Sequence, residues 1–320
     1  MFVLSTINDA PGDALKKLSS QFDVRLYAGK DRPTRKELLR EVKGASAIWC
    51  ELEDKIDREV IDAAGSNLKI IANYAVGFDN IDVKYANSKG IVVTNTPNVL
   101  TQAVAEHTFA LLMAAARRIC ESDANIRKGI FPHWGAVVEI GTELCAKTIG
   151  IVGAGRIGGE VARIAAHGFN MNVVYYNRSK DVNLEKETGA KYVTLDVLLK
   201  ESDFISVHVP LTSETKGMFG ASQFKKMKKT AIFVNTARGK IVREAELASA
   251  LKTKTIAAAA LDVFENEPNV NLALQKLPNV VMTPHIASAT LEARTAMADL
   301  GAENITLVLS GKKAKTEVKV

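Results

Sequence analysis

The 320-residue chain is poor in several things, and each shortage excludes a class. It has three cysteines, Cys50, Cys120 and Cys145, far apart and with no CxxC or Cys/His ligand spacing. A disulfide scaffold and a zinc module are excluded, and a reducing, cytoplasmic compartment is expected. The longest apolar stretch, Phe109 to Ala116, is far short of the ~20 residues that a bilayer crossing needs. The opening Met1-Phe2-Val3-Leu4-Ser5-Thr6-Ile7 has no basic residue ahead of its apolar run and meets Asn8-Asp9 at once, so no signal peptide is expected. No Gly/Ser linker, short repeat or low-complexity tract appears. Neither charge sign dominates: 42 basic and 36 acidic residues give +6 and a pI near 9.0. That surplus suits small anionic molecules and is too diffuse for nucleic acid. The basic runs Lys225-Lys226-Met227-Lys228-Lys229 and Lys312-Lys313-Ala314-Lys315 read as solvated surface, the second on a tail expected to fray.

What is present is apolar material for two cores, at 47% hydrophobic residues. Short apolar runs alternate with helical patterns in the first hundred residues. Phe2–Leu4, Val24–Tyr27, Ala47–Trp49, Ile70–Asn73 and Ile91–Thr94 read as strands, with helices over 35–42, 58–64 and 83–89. One long, nearly all-round apolar helix is expected from Thr101, which can cap it, to Cys120. The alternation restarts at Thr148. Strands are expected at 149–152, 173–176, 191–193, 204–207, 231–234, 256–261 and 280–282, with helices at 157–167, 195–201, 221–227 and 243–251. A last amphipathic helix covers 288–310. Continuous Val/Ile/Ala runs suit strands buried on both faces, so both halves are expected to be α/β with parallel sheets, and the groove between them is where a site is sought.

The run Thr148-Ile149-Gly150-Ile151-Val152-Gly153-Ala154-Gly155-Arg156-Ile157-Gly158-Gly159 reads as strand, glycine turn and helix start. Gly153, Gly155 and Gly158 fit G-x-G-x-x-G: one glycine for the turn, one leaving room for a pyrophosphate, one for close helix–strand approach. The N–H groups that open the helix, at Arg156 and Ile157, would face the phosphates. The next strand ends in Asn177-Arg178-Ser179, with no acidic residue before Asp181 to bind a ribose 2′-hydroxyl. Arg178 and Ser179 can bind a 2′-phosphate, and NADP (NADPH) is the preferred cofactor expected, with NAD possible.

Ligands of parallel sheets bind beyond the carboxyl ends of the strands. Arg238, Glu267 and His285 each follow such an end, on the same edge as the glycine loop. Hydride exchange between a carbonyl and an alcohol needs these types. His285 gives a proton to the carbonyl oxygen, Glu267 favours and orients the imidazolium, and Arg238 holds a carboxylate and polarises the carbonyl. No metal is required. His107, His133 and His167 read as structural; His208, at a strand end, can touch the cofactor but has no evident acid partner.

These residues make the chain resemble the D-isomer-specific 2-hydroxyacid dehydrogenases over essentially its full length. The likeness rests on the glycine loop, Asn235-Thr236-Ala237-Arg238-Gly239, Ala260-Leu261-Asp262-Val263-Phe264-Glu265-Asn266-Glu267-Pro268, Thr283-Pro284-His285-Ile286-Ala287 and Tyr74-Ala75-Val76-Gly77-Phe78-Asp79-Asn80-Ile81-Asp82. It implies an α/β fold of two doubly wound parallel-sheet domains. One is a Rossmann nucleotide-binding domain over 101–288; the other is a smaller, discontinuous, flavodoxin-like substrate domain over 1–100 and 289–320. It implies Arg238, Glu267 and His285 as the catalytic set, and substrate carboxylate on the Val76 and Gly77 amides beside Arg238 and His285. Thr101 would approach the nicotinamide or its ribose, Thr236 and Ala237 would line the cofactor, and Asp262 would meet its carboxamide. A homodimer is implied, with segment 120–145 and Trp134 near its interface; Glu51-Leu52-Glu53 and Trp134 are candidates for the substrate pocket. Within the family the motifs are most similar to glyoxylate and hydroxypyruvate reductases, so reduction of a small 2-oxo acid to its D-2-hydroxy acid is expected. Two alternatives stay open: an NAD-linked dehydrogenase, as for 3-phosphoglycerate, and a dinucleotide-sensing binding protein like the family's corepressors.

Overall fold

The computed structural model describes residues 1–29 and 32–319. The chain divides into two compact units, Met1–Leu100 with Ser288–Val320, and Thr101–Ala287. The first unit is built on β1 (Phe2–Ser5), β2 (Asp23–Leu26), β3 (Ala47–Cys50), β4 (Ile70–Asn73) and β5 (Val92–Thr94). They form an all-parallel sheet ordered β2-β1-β3-β4-β5 among the described residues. β1, β3 and β4 are buried along their whole length, as unbroken apolar runs demand of a sheet covered on both faces. Three of the connecting helices start at local caps. Thr34 and Glu37 form a capping box, Asp57 accepts from the Val60 N–H, and Asp82 from the Tyr85 N–H. The chain returns through the Leu291–Leu309 helix, capped by Thr290. That helix comes so close to β3 that a Cβ on Gly301 would lie 2.7 Å from the Trp49 indole nitrogen.

The tail beyond that helix does not fray. Glu317 bridges antiparallel to Thr94, the Val318 N–H donates to the Val93 carbonyl at 2.8 Å, and Ala314 and Val318 are buried. Fully buried Asn304 holds the segment through the Lys315 N–H and the Thr316 hydroxyl, both at 2.8 Å. Apolar side chains at 314 and 318 and this tertiary clamp outweigh the repulsion among the flanking lysines.

The second unit carries β6 (Thr148–Val152), β7 (Asn172–Tyr176), β8 (Lys191–Tyr192), β9 (Phe204–Val207), β10 (Ile232–Asn235), β11 (Ala258–Leu261) and β12 (Val280–Met282). All pairs are parallel, in the order β12-β11-β10-β9-β6-β7-β8. From β6 the chain runs outward to β8, returns to β9 and then runs the other way, so the strand order reverses between β6 and β9. One face of the sheet packs the ring cluster of Phe219, Phe224 and Phe233, with centroids 5.0 and 5.6 Å apart. The other packs Ala105, Phe109, Leu112 and Ala116 of the Thr101–Ala116 helix against Ile149, Ile151 and Tyr175. The fold is the expected one of two parallel α/β sheets.

Two helices differ from expectation. Thr101 is the first helical residue rather than a cap, and the helix stops at Ala116 instead of Cys120. There the Thr142 N–H reaches back to the Ala116 carbonyl at 2.8 Å, and Arg118 turns left-handed (φ 54°) before a separate helix, Ile119–Arg127. After the glycine turn the α-helix ends at Arg163 and closes with a π turn over Ile164–Gly168. Among the described residues no helix is long and apolar enough to cross a membrane.

Candidate active site

The glycine loop follows β6, beside the reversal of strand order, where a crevice opens in sheets of this kind. Gly153 adopts φ 97° and donates its N–H to the Tyr176 carbonyl at 2.9 Å. A Cβ on Gly158 would lie 2.1 Å from the Gly153 oxygen, so only glycine permits that helix–turn contact. At Gly155 an added Cβ would meet nothing within 4 Å: it would project into open space over the first turn of the Arg156–Arg163 helix. Gly155 and Arg156 are exposed and Ile157 is half-buried, so the N–H groups of that first turn face the same space. An open cradle lined by helix-terminal N–H groups fits a dinucleotide pyrophosphate.

At the end of β7, Asn177 is half-buried and its carbonyl accepts from the Tyr192 hydroxyl at 3.1 Å, while Arg178 and Ser179 are exposed. The nearest acid is already engaged. Asp181 caps the Val182–Thr188 helix through the N–H groups of Asn183 and Leu184. No carboxylate among Asn177, Arg178 and Ser179 competes for a 2′-phosphate.

Three loops at the ends of β10, β11 and β12 carry Arg238, Glu267 and His285. Asn235 shapes the first loop: its side chain accepts from the Ala237 N–H and donates to the Arg238 carbonyl, both at 3.0 Å. The Thr236 hydroxyl meets that of Thr108 at 3.0 Å. The first two loops interlock, since a Cβ on Gly239 would fall 1.9 Å from the Phe264 carbonyl carbon. The Glu267 carboxylate accepts from the Phe264 N–H at 2.7 Å through one oxygen and meets His285 Nδ1 at 2.8 Å through the other. Burial pushes the Glu267 carboxyl up. The bond to His285, that ring's charge, the Phe264 N–H and the Arg238 guanidinium outweigh it, and the carboxyl sits below its ordinary value.

His285 itself is left-handed, at φ 54°. Its backbone is held by Asp262, whose carbonyl accepts from the His285 N–H at 2.8 Å. The Asp262 side chain is 0% exposed. It accepts from the Thr283 hydroxyl at 2.6 Å and from the N–H groups of Ile286 and Ala287 at 2.9 Å, with His107 Nε2 at 3.4 Å. Burial raises its carboxyl, and His107, Thr283 and the two amides bring it below its ordinary value. Asp262 is thus engaged in holding the His285 loop; the sequence signals only that an acid ends β11. Glu244 has no signal in the sequence at all. It is buried and accepts from the Glu265 N–H beside Glu267. Among the described residues the His208 ring bonds only the Ser206 hydroxyl, at 2.8 Å, and burial pushes the ring down to about 3.

In the first unit, Tyr74–Asp82 follows β4. The carbonyls of Ala75, Val76 and Gly77 accept respectively from the Thr96 N–H (2.9 Å), the Asn95 side-chain amide (2.7 Å) and the Asn73 side-chain amide (2.7 Å). Glu51 and Glu53 both pair with Arg32. Thr101 is half-buried, and Trp134 is 92% exposed. Among the described residues no group of three His, Cys, Asp or Glu is placed to hold a metal.

A parallel sheet with a glycine cradle at its reversal point, and an acid-paired histidine on the same edge, defines a dinucleotide-dependent oxidoreductase. The chain belongs to the D-isomer specific 2-hydroxyacid dehydrogenases: the profile of that family's NAD-binding domain matches residues 109–287. It is 48% identical over 306 residues to the glyoxylate reductase of Korarchaeum cryptofilum (strain OPF8), covering 95% of this chain and 92% of that one. A crystal structure of a protein from Thermus thermophilus superposes with a TM-score of 0.92 at 41% identity over 100% of both chains. The NADPH-dependent glyoxylate/hydroxypyruvate reductase of Sinorhizobium meliloti, solved with NADP and malonate, gives 0.83 at 33% identity, covering 99% of this chain and 96% of that one.

Proposed function

We propose that the protein reduces glyoxylate or hydroxypyruvate to the D-2-hydroxy acid with NADPH as preferred donor. The observation that carries this reading is the 2.8 Å bond between Glu267 and His285 Nδ1 on the sheet edge that bears the glycine cradle. A bound reduced nicotinamide supplies the hydride. His285, oriented through Nδ1, delivers the proton to the carbonyl oxygen from Nε2, and in the reverse direction takes it back. Arg238 holds the substrate carboxylate and stabilises negative charge gathering on the reacting oxygen. The N–H groups of Val76 and Gly77 receive the same carboxylate. Gly153, Gly155, Arg156, Ile157 and Gly158 hold the pyrophosphate. Thr101, Thr236, Ala237 and Asp262 serve the nicotinamide end, Asp262 by keeping its loop in place. Glyoxylate supports the reading because the K. cryptofilum relative carries that name, and hydroxypyruvate because the S. meliloti enzyme does.

NADPH is favoured because Arg178 and Ser179 are exposed and Asp181 is engaged elsewhere. The working unit is a homodimer, a second copy covering the apolar arm that includes Phe131 (82% exposed), Trp134 and Val137 (80%). The unpaired cysteines fit a cytoplasmic setting. A panel of 2-oxo acids, assayed with NADPH and with NADH, tests the reading. Glyoxylate and hydroxypyruvate should lead, and NADPH should surpass NADH. No turnover of any 2-oxo acid refutes it; faster oxidation of 3-phosphoglycerate with NAD replaces it by the dehydrogenase alternative.

A further inference from the structure

We infer that Asn95 is a positioning residue that aims the Gly77 N–H at the substrate carboxylate, and that the C-terminal segment holds Asn95 in place through Thr316. The inference rests on the reading that the Val76 and Gly77 amides receive that carboxylate.

In a trans peptide the C=O and N–H point in opposite directions, so fixing the carbonyl fixes where the next residue's N–H looks. Three consecutive carbonyls are each fixed by a donor here. Ala75 is held by the Thr96 N–H, Val76 by the Asn95 amide and Gly77 by the Asn73 amide. The N–H groups of Val76, Gly77 and Phe78 therefore each point away from the donor that holds the carbonyl of their own peptide. Among the described residues none of the three donates a hydrogen bond. Successive N–H groups left without an internal acceptor are suited to a carboxylate. Without Asn95 the peptide between Val76 and Gly77 loses the bond that fixes the direction of its N–H.

Asn95 is in turn gripped by the tail. The Thr316 hydroxyl donates to the Asn95 carbonyl at 2.7 Å, and the Asn95 N–H reaches the Thr316 carbonyl at 3.4 Å. Buried Asn304 fixes the Thr316 hydroxyl from the other side at 2.8 Å. A continuous chain of bonds thus runs from the Leu291–Leu309 helix through the tail to the substrate loop. Asn95 is the informative position for a test. Asn73 is almost wholly buried and also bonds Asn80 and Cys50, so removing it disturbs folding, whereas the half-buried Asn95 side chain makes one bond among the described residues.

The test measures kcat and KM for glyoxylate at saturating NADPH, NADPH affinity by fluorescence titration and the thermal midpoint, in the wild type, Asn95→Ala, Thr316→Val and Thr316→Ser. Asn95→Ala should raise KM about tenfold, the effect of losing one well-aligned bond to a charged group. Its kcat and NADPH affinity should stay near wild type. Thr316→Val should raise KM several-fold, and Thr316→Ser should restore what valine loses. A folded Asn95→Ala enzyme with unchanged KM overturns the inference, as does a loss confined to the thermal midpoint. Should Asn95→Ala fail to fold, the valine and serine pair at 316 decides alone. A wild type that turns over no 2-oxo acid, yet binds NADPH, instead refutes the functional reading and the inference with it.

Discussion

Two loops at strand ends, one in each unit, are held by opposite means. Behind the His285 loop sits a buried carboxylate, Asp262, which gathers the N–H groups of Ile286 and Ala287 and leaves negative charge beneath the loop. Behind the Val76–Gly77 loop sit two neutral amides, Asn73 and Asn95, which donate to the Gly77 and Val76 carbonyls and leave the N–H groups of those peptides free of internal acceptors among the described residues. The first arrangement suits a ring that takes on a proton, the second an anion. Backbone polarity is thus chosen from below, by whether the supporting side chain accepts or donates. In the proposed reaction the two choices would serve different needs: a proton to deliver and a carboxylate to hold.

The sharpest test of the His285 side is its removal. His285→Ala should lower kcat by roughly 10²–10⁴-fold while NADPH titration stays unchanged. Loss of NADPH binding as well would mean that the loop serves the cofactor instead. The next effect concerns support. Asp262→Asn turns one acceptor into a donor facing N–H groups in a site without water access, and should reduce unfolding free energy by about 1–3 kcal/mol in urea. An equally stable variant would show that the carboxylate is not what holds the loop.

The smallest effect comes from an internal contrast, His208, at the end of β9, whose ring meets the Ser206 hydroxyl and whose backbone N–H donates to the Val152 carbonyl, with no carboxylate bonded to that ring among the described residues. Its folded value, about 3, lies below the ordinary 6.5. The folded protein therefore refuses a proton that the unfolded chain accepts. The stability this brings is complete above pH 6.5 and falls as pH drops from 6.5 toward 3. Thermal midpoints of His208→Gln should fall less steeply than wild type across that window; identical slopes would remove the contrast. Glu267 and Asp262, both depressed, add their own losses only below the ordinary carboxylate range.

Most of the architecture was legible because buried parallel strands advertise themselves as apolar runs, and three glycines at this spacing between a strand and a helix rarely serve any end but phosphate binding. The pairing of Glu267 with His285 was legible from strand-end positions alone. What stayed hidden depends on partners distant in sequence. The helix break near Arg118 has no glycine or proline to announce it and is closed from Thr142. The helices Ala14–Ser19 and Val182–Thr188 are too short to show a period. The lysine-rich tail reads as solvent-loving, and only its bonds to Asn304 and Val93 reveal otherwise. Asp262 reads as a group facing ligand, yet its carboxylate is occupied within the loop.

Because Met1–Leu100 shares its unit with Ser288–Val320, the ribosome presents the two portions of that unit at different times. At about 5–20 residues per second, the intervening segment takes roughly ten to forty seconds to emerge. During that wait the early strands lack the Leu291–Leu309 helix and the Thr316 bonds, while Thr101–Ala287 already has every residue of its own sheet. The nucleotide-binding half can therefore mature first, and on the proposed reading a nascent chain would acquire its coenzyme before it could grip an acid.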